Sequence, residues 1–314
     1  LKGVNRCSYD MLGHSFSGLF PRYPGASTYE SIVLPADARS RGGVMRAGRN
    51  RSWMLQIDPI PVLLHSGDSA VSFLARRDLL DKQVGRTAEI WEAPAARRLL
   101  ARQQADGSWR PSGKKEEVYP PHHHTLVETF KRFRILVQRY RFTRESAELA
   151  RAAEYLLACQ TPSGDIRGMI GNQYATYYTG LILSLLIDAG YADDPRIETG
   201  MRWLLSMRQD DGGWTVPILT RRLDAPTIHR ITSEYAEPVE PDRTMPFSHN
   251  WTNMVLLAFA AHPAYRDSEE ARAAAILMKL QGASTPRPMT HDLLLRVINQ
   301  MGGELLRVVI VDLR

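Results

Sequence analysis

Three short stretches gather side chains able to hold, orient or move charge. They read Tyr119-Pro120-Pro121-His122-His123-His124-Thr125, Gly171-Asn172-Gln173-Tyr174-Ala175-Thr176-Tyr177-Tyr178 and Pro246-Phe247-Ser248-His249-Asn250-Trp251-Thr252. An imidazole takes or gives a proton near neutral pH, and the face of an aromatic ring stabilises a passing positive charge. Together, around an apolar chamber, they would suit a reaction that proceeds through carbocations. His124, His249 and Tyr174 are the candidate catalytic groups. His122, His123, Asn172, Tyr177, Tyr178, Asn250 and Trp251 are candidate lining residues. Thr125, Thr176 and Thr252 fall at matching places, which predicts three equivalent loops facing one another. The plainer alternative is that the threonines cap helices and the aromatics are packing.

Other chemistries fit the residues less well. Neighbouring histidines point apart in a helix or strand, so His122, His123 and His124 cannot easily share one ion, and no metal or other cofactor is expected. Gly13-His14-Ser15-Phe16-Ser17-Gly18 nearly spells a nucleophile elbow, but Ser17 stands where the second glycine belongs and no buried parallel strand precedes it. Glu234, Glu237, Glu240 and Asp242 form an acidic loop ahead of His249. It reads as a solvated connector, with a fold-over segment supplying a general acid as the alternative.

The elements that must position these groups are announced by internal repetition. Leu99-Leu100-Ala101-Arg102-Gln103-Gln104-Ala105-Asp106-Gly107-Ser108-Trp109 recurs as Leu204-Leu205-Ser206-Met207-Arg208-Gln209-Asp210-Asp211-Gly212-Gly213-Trp214. A third copy, from Leu156-Leu157 to Gly164, keeps the glutamine as Gln160 and puts Ile166 for the tryptophan. A fourth, Arg272 to Gln281, aligns with Arg151 to Gln160 and then loses the turn. Each copy closes a helix with one apolar stripe: Ile197, Gly200, Met201, Leu204 and Leu205 keep a 3.6-residue period, as do Leu149, Ala152, Ala153, Leu156 and Leu157. Asp194-Pro195 starts one such helix and Asp267-Ser268-Glu269-Glu270 resembles a capping box at another. The preceding helices, Tyr177 to Ile187 and Trp251 to Ala261, are apolar on nearly every side and must be enclosed. Alternating the two kinds gives an inner and an outer layer, as in a curved solenoid or a closed double ring.

Composition sets the outer bounds. The chain has 314 residues, 44% of them apolar and 24% charged, which is enough for one large domain or two modest ones. No apolar run reaches the roughly 20 residues needed to cross a bilayer. Leu1 to Tyr9 lacks the pattern of a secretory leader, and Cys7 and Cys159 cannot build a disulfide framework, so a reducing, cytoplasmic setting is expected. The net charge of +6 is mostly arginine and is spread along the chain. Its densest stretch, Lys131 to Arg141, reads as a solvated helix face with Phe133 and Tyr140 turned inward rather than as a nucleic-acid interface. No nucleic-acid partner is expected.

The two Asp-Gly-x-Trp turns, each after Leu-Leu and Gln, resemble the QW-type repeats of terpenoid cyclases, with similar repeats in protein prenyltransferase β subunits. Tyr178 to Trp214 carries the closest likeness, and the resemblance spans about residues 88–283. It implies an all-α fold, an α/α toroid of helix hairpins around a central apolar cavity, and an isoprenoid or other lipid-like small molecule as substrate. The departures are specific. The Asp-x-Asp-Asp acid of class II cyclases is missing, with Arg208-Gln209-Asp210-Asp211 the nearest stretch. Asp193-Asp194-Pro195-Arg196-Ile197-Glu198 misses the Asp-Asp-x-x-Asp spacing, and His249 alone would match the prenyltransferase zinc set of Asp, Cys and His.

The organisation expected is an irregular segment over 1–55, toroid repeats over 56–283 and a C-terminal extension over 284–314. Asp58 to Leu64 and Ala70 to Leu80 should be helical, whereas Leu306 to Val311 prefers strand and does not fit the ring. An incomplete ring, closed by a partner or as a homo-oligomer, is one outcome. The leading function is a cyclase- or prenyltransferase-like enzyme. Its rival is a non-catalytic helical-repeat scaffold binding a peptide, lipid or protein on its concave surface.

Overall fold

The computed structural model describes residues 60–282, which fall into two compact units divided after Gly85. The expectations for 1–55 and 284–314, for the stretch around Ser15 and for the strand-prone Leu306 to Val311 lie outside the described residues. The first unit contains α1 (Ile60–Leu64) and α2 (Ser69–Leu74), the latter running on as a π-helical turn over Ala75–Leu79. Asp68 caps α2 by accepting from the Ala70 amide at 2.9 Å.

In the second unit, a 3₁₀ turn (Thr87–Glu92) precedes α3 (Pro94–Leu100), α4 (His123–Tyr140), α5 (Ala147–Ala158), a short strand β1 (Met169–Asn172), α6 (Thr176–Leu186) and α7 (Pro195–Ser206). A 3₁₀ turn (Pro217–Thr220), α8 (Ala225–Ser233), α9 (His249–Ala261) and α10 (Glu269–Gly282) complete it. Mostly helical structure is therefore as expected. Caps mark the starts. Asp194 accepts from the Arg196 amide at 2.8 Å with Pro195 in the first turn. Ser268 accepts from Ala271 at 3.2 Å, so α10 is capped by a hydroxyl three residues ahead and Ala271 stands where the box would need a carboxylate.

The two kinds of helix separate as their sequences demand. On α6 ten residues from Thr176 to Leu186 are buried, including Leu183, and α9 is buried from Thr252 to Ala260 with the sole exception of Met254. By contrast α5 buries only its apolar stripe, and α7 buries Ile197, Gly200, Met201 and Leu204 of its stripe together with Trp203, Leu205 being half-buried. The second helix of each hairpin, termed outer, packs on the first, termed inner (α5 on α4, α7 on α6, α10 on α9), and α6 packs most extensively on α9. Gly180 permits that approach: a Cβ there would lie 2.8 Å from the Val255 Cα. Of the inner helices α4 alone is markedly two-sided. It buries Phe133 and Tyr140, while Lys131 and Arg132 pair with Glu128 on its other side at 3.1 Å each.

The repeated turn is one structure built three times. The indole N–H of Trp109 donates to the Leu99 carbonyl (2.8 Å) and that of Trp214 to Leu204 (2.7 Å), a second donor for carbonyls that already accept from the Arg102 and Met207 amides at the end of the outer helix. The backbone amides of Trp109, Ile166 and Trp214 donate to the hydroxyls of Thr129, Thr179 and Thr252 on the following inner helix, at 3.0, 3.1 and 2.8 Å. Gln103 Nε2 joins the turn carbonyl of Gly107 to that of Glu148 in α5, and Gln160 joins Gly164 to Arg196 in α7, all within 3.0 Å. In the third turn Arg208 donates to Gly212 at 3.0 Å instead. Gly107 and Gly164 hold left-handed φ values of 86° and 112°, and a Cβ on either would strike a backbone carbonyl of the next outer helix.

These bonds correct the threonine register. The equivalent residues are Thr129, Thr179 and Thr252, not Thr125, Thr176 and Thr252. Thr129 instead donates to the carbonyl of Thr125, one turn earlier, at 2.7 Å. The error arose because His122-His123-His124-Thr125 looks like a helix entry, whereas α4 extends one turn further in the N-terminal direction than α6 or α9.

Candidate functional site

Four of the candidates, His122, His123, Asn172 and Tyr174, meet at a tight hairpin formed by residues 160–174. Antiparallel bridges pair Gln160 with Ile166 and Gly168 with Gly171. At its base the fully buried Asp165 accepts from Arg167 Nε at 2.6 Å and from the Thr161 hydroxyl. Arg167 also donates to the Asn172 carbonyl at 3.0 Å, and its guanidinium lies 4.8 Å above the centre of the Tyr174 ring. The Tyr174 hydroxyl donates to Glu240 at 3.0 Å. Burial, then the Glu240 carboxylate, raises the Tyr174 pKa, so the phenol is a neutral donor.

His122 and His123 reach the same hairpin from the start of α4. Gly168, at φ 107°, leaves room for His122, whose Nε2 would be 2.7 Å from a Cβ there. His123 Nδ1 lies 2.7 Å from the Gly168 carbonyl. A carbonyl can only accept, so this nitrogen carries the hydrogen and Nε2 keeps the lone pair. Burial, with the neighbouring imidazoles adding repulsion, lowers the His123 pKa. His124 turns away and its Nε2 donates to the Glu116 carbonyl at 2.8 Å.

A second, aromatic group stands at the entrances of α6 and α9. The Tyr177 ring lies 4.3 Å from Tyr178 and 4.4 Å from Trp251, and Phe130 of α4 meets Tyr178 edge-on at 5.6 Å. Burial lifts the Tyr178 pKa to about 12 and that of Tyr177 well above its usual value. These rings can offer π-faces and neutral hydroxyls, not bases. Asn250 is exposed beside them. His249 opens α9 with its ring 5.1 Å from Phe247; its Nε2 is buried without a hydrogen-bond partner, and desolvation lowers its pKa. The three candidate catalytic groups thus address different partners: a backbone carbonyl for His124, a carboxylate for Tyr174 and an aromatic ring for His249.

Sequence reasoning passed over Arg167, Asp165 and Gln173. Asp165 occupies the turn position held by Ser108 and Gly213 in the other copies, and that local departure was the available signal. Gln173 is fully buried among carbonyls of the last turn of α8 and of the segment that follows it. Among the described residues no group of three or more His, Cys, Asp or Glu side chains could hold a metal. Cys159 ends α5, and burial pushes its thiol up to about 12, which leaves it unreactive. A depression of ≈ 350 Å³ lies beside the first turn, lined by Gln104, Ala105, Asp106, Ser108, Arg110 and Thr125. No helix of the described residues is long and apolar enough to cross a membrane.

Comparison with known proteins adds two partial likenesses. A probable squalene–hopene cyclase of Sinorhizobium fredii is 35% identical over 91 residues, 29% of this chain and 14% of that protein. The chain therefore matches a small fraction of its relative's length. Residues 268–314 match the model of the bifunctional nuclease domain. That match begins at Ser268, the residue that caps α10.

Proposed function

We propose that residues 86–282 are repeats of a terpenoid-cyclase- or prenyltransferase-like α/α toroid whose inner aromatic patch binds an isoprenoid or another apolar small molecule. The observation that carries this reading is the stack of Tyr177, Tyr178 and Trp251 at the entrances of two tightly packed inner helices. Desolvated rings at such spacing attract a carbocation or an alkene and exclude water. The partial likeness to a probable squalene–hopene cyclase supports the same substrate class. In this reading His123, His249 and Tyr174 serve distinct tasks. The two imidazoles are held neutral by burial and can accept a proton, whereas Tyr174 donates. His124 and Asn172 orient the loops they bond.

Native mass spectrometry of the purified full chain, with and without added squalene and farnesol, tests the reading. A retained apolar adduct supports it, and new hydrocarbon or alcohol products extend it to catalysis. Absence of any adduct and of turnover would remove it.

One observation favours the rival scaffold reading: Asn172, Gln173 and Tyr174 direct their polar groups at the chain itself. A scaffold would bind a folded or extended polypeptide on its concave side and retain no small molecule. For residues 268–314 alone, the nuclease-domain match supports a nucleic-acid substrate, contrary to the expectation from charge. Cleavage of plasmid DNA or RNA by the full chain checks that role.

A further inference from the structure

Gln173 stands just before α6 with its side chain fully buried. Its Nε2 faces the carbonyls of Ile231 (3.3 Å), Ala236 (3.5 Å) and Glu237 (3.2 Å), and its Oε1 accepts from the Val239 amide at 2.9 Å. Asn172 Nδ2 adds a bond to the Ala236 carbonyl at 2.9 Å, and Tyr174 adds one to Glu240. At Gly171 a Cβ would lie 2.5 Å from the Thr232 carbonyl oxygen, so the segment's backbone rests directly on the hairpin. The outward side chains of Glu234, Tyr235, Glu237 and Glu240 are exposed.

The far end of this segment is anchored separately. Gln209 donates to the carbonyls of Asp242 and Met245 at 2.8 Å each, and the Asp210 amide donates to Arg243 at 2.9 Å. Residues 242–245 are therefore held by the third repeat turn, and they lead into α9. One stretch of chain thus runs from the approach to α6, where consecutive polar side chains hold it, to the third repeat turn ahead of α9. An amide that must donate to several carbonyls and accept from an amide cannot be replaced by a carboxylate or an alkyl group.

We propose that residues 231–240 form a cover over the hairpin and the N-terminal end of α6, that Gln173 is the positioning residue for its closed state, and that lifting it admits an apolar ligand to Tyr177, Tyr178 and Trp251. The last clause rests on the function proposed above; the first two do not.

The experiment compares the full-length wild type with Gln173→Leu and the milder Tyr174→Phe. Gln160→Leu, which loses part-buried side-chain bonds in a repeat turn, is the control. Amide hydrogen exchange and cleavage by a Glu-specific protease read the cover. Stopped-flow fluorescence with farnesol reads access. In Gln173→Leu, exchange over 231–240 rises at least tenfold and cleavage after Glu234 appears, Glu237 and Glu240 being shielded by Pro238 and Pro241, while α6 and α9 stay protected. Tyr174→Phe shows a smaller rise confined to the stretch near Glu240, and Gln160→Leu shows none there. Farnesol associates at least threefold faster with Gln173→Leu.

Unchanged exchange over 231–240, or an equal rise throughout α6 and α9, overturns the cover. An increase over 231–240 with an unaltered farnesol association rate overturns its gating role. Failure of every protein to bind farnesol overturns the functional reading and the gate with it, and exchange still decides the cover.

Discussion

A single hydroxyl repeated on three inner helices ties each turn to the helix that follows it. The Trp214 amide is buried and has the Thr252 hydroxyl as its acceptor at 2.8 Å. Replacing Thr252 by Val keeps the shape and leaves the donor unsatisfied. Chemical denaturation should show a loss of about 1–3 kcal/mol, and Thr179→Val should cost a similar amount through Ile166. Histidine protonation gives a second residue-scale prediction. Burial depresses the His123 pKa below its ordinary 6.5, so below that pH the unfolded chain binds more protons than the folded one. Stability is then full above about pH 6.5 and declines as the pH falls through the window toward the lowered folded value. His123→Gln should flatten this slope in denaturation curves measured between pH 5 and 7, an effect of the sign expected for a neutral buried imidazole. Residue types alone revealed the aromatic candidates, because Tyr177, Tyr178 and Trp251 adjoin inner helices that are apolar all round. They did not reveal Gln173 or Arg167, whose partners lie far along the chain and carry no periodic signal.

At the scale of elements, the packing of α6 on α9 depends on one missing methyl. Gly180→Ala would set a Cβ 2.8 Å from the Val255 Cα, a backbone atom that cannot swing aside. The helices must separate, at a cost of about 1–3 kcal/mol in denaturation experiments. Gly164→Ala should be worse, since its φ of 112° is unfavourable for an L residue and its Cβ would lie 2.4 Å from the Thr199 carbonyl. A control at Gly67, where a Cβ meets nothing within 4 Å, should be nearly neutral. The elements were the most legible part of the chain. Stripes at i, i+3 and i+4 marked α5 and α7, and the Leu-Leu, Gln and Gly succession marked their ends. The hairpin at 160–174 was not legible, because it has no apolar period and is set by polar bonds to distant backbone; α8 carried a local signal in its Asp224 cap and first-turn Pro226, but it has no counterpart among the repeat copies.

At the scale of the molecule, the enclosed helices α6 and α9 are each followed by a one-sided helix, and the first two repeat turns reach forward to the next outer helix. This forward contact lets a repeat array propagate: Gln103 reaches Glu148 and Gln160 reaches Arg196. The fourth copy keeps its outer helix α10 while its sequence lacks the turn signature, and the match to the bifunctional nuclease domain begins at Ser268, just ahead of that helix. Surface ion pairs add clamps between successive repeats. Arg144 meets Asp193 at 2.7 Å, and Arg196 meets Glu154 at 2.8 Å. Both are exposed, and Arg196→Gln should shift denaturation by no more than about 1 kcal/mol.

The claim on which the functional account depends is that the aromatic patch, rather than the outer surface, receives the ligand. The most direct measurement is an equilibrium titration of the full chain with farnesol, comparing wild type with Trp251→Leu and with Trp91→Leu, whose indole stacks on Phe142 at 4.9 Å away from the patch. With melting curves matched, the account predicts saturable binding that weakens at least tenfold in Trp251→Leu and stays within twofold in Trp91→Leu. Equal affinity in all three proteins, or no saturable binding in any, would contradict it.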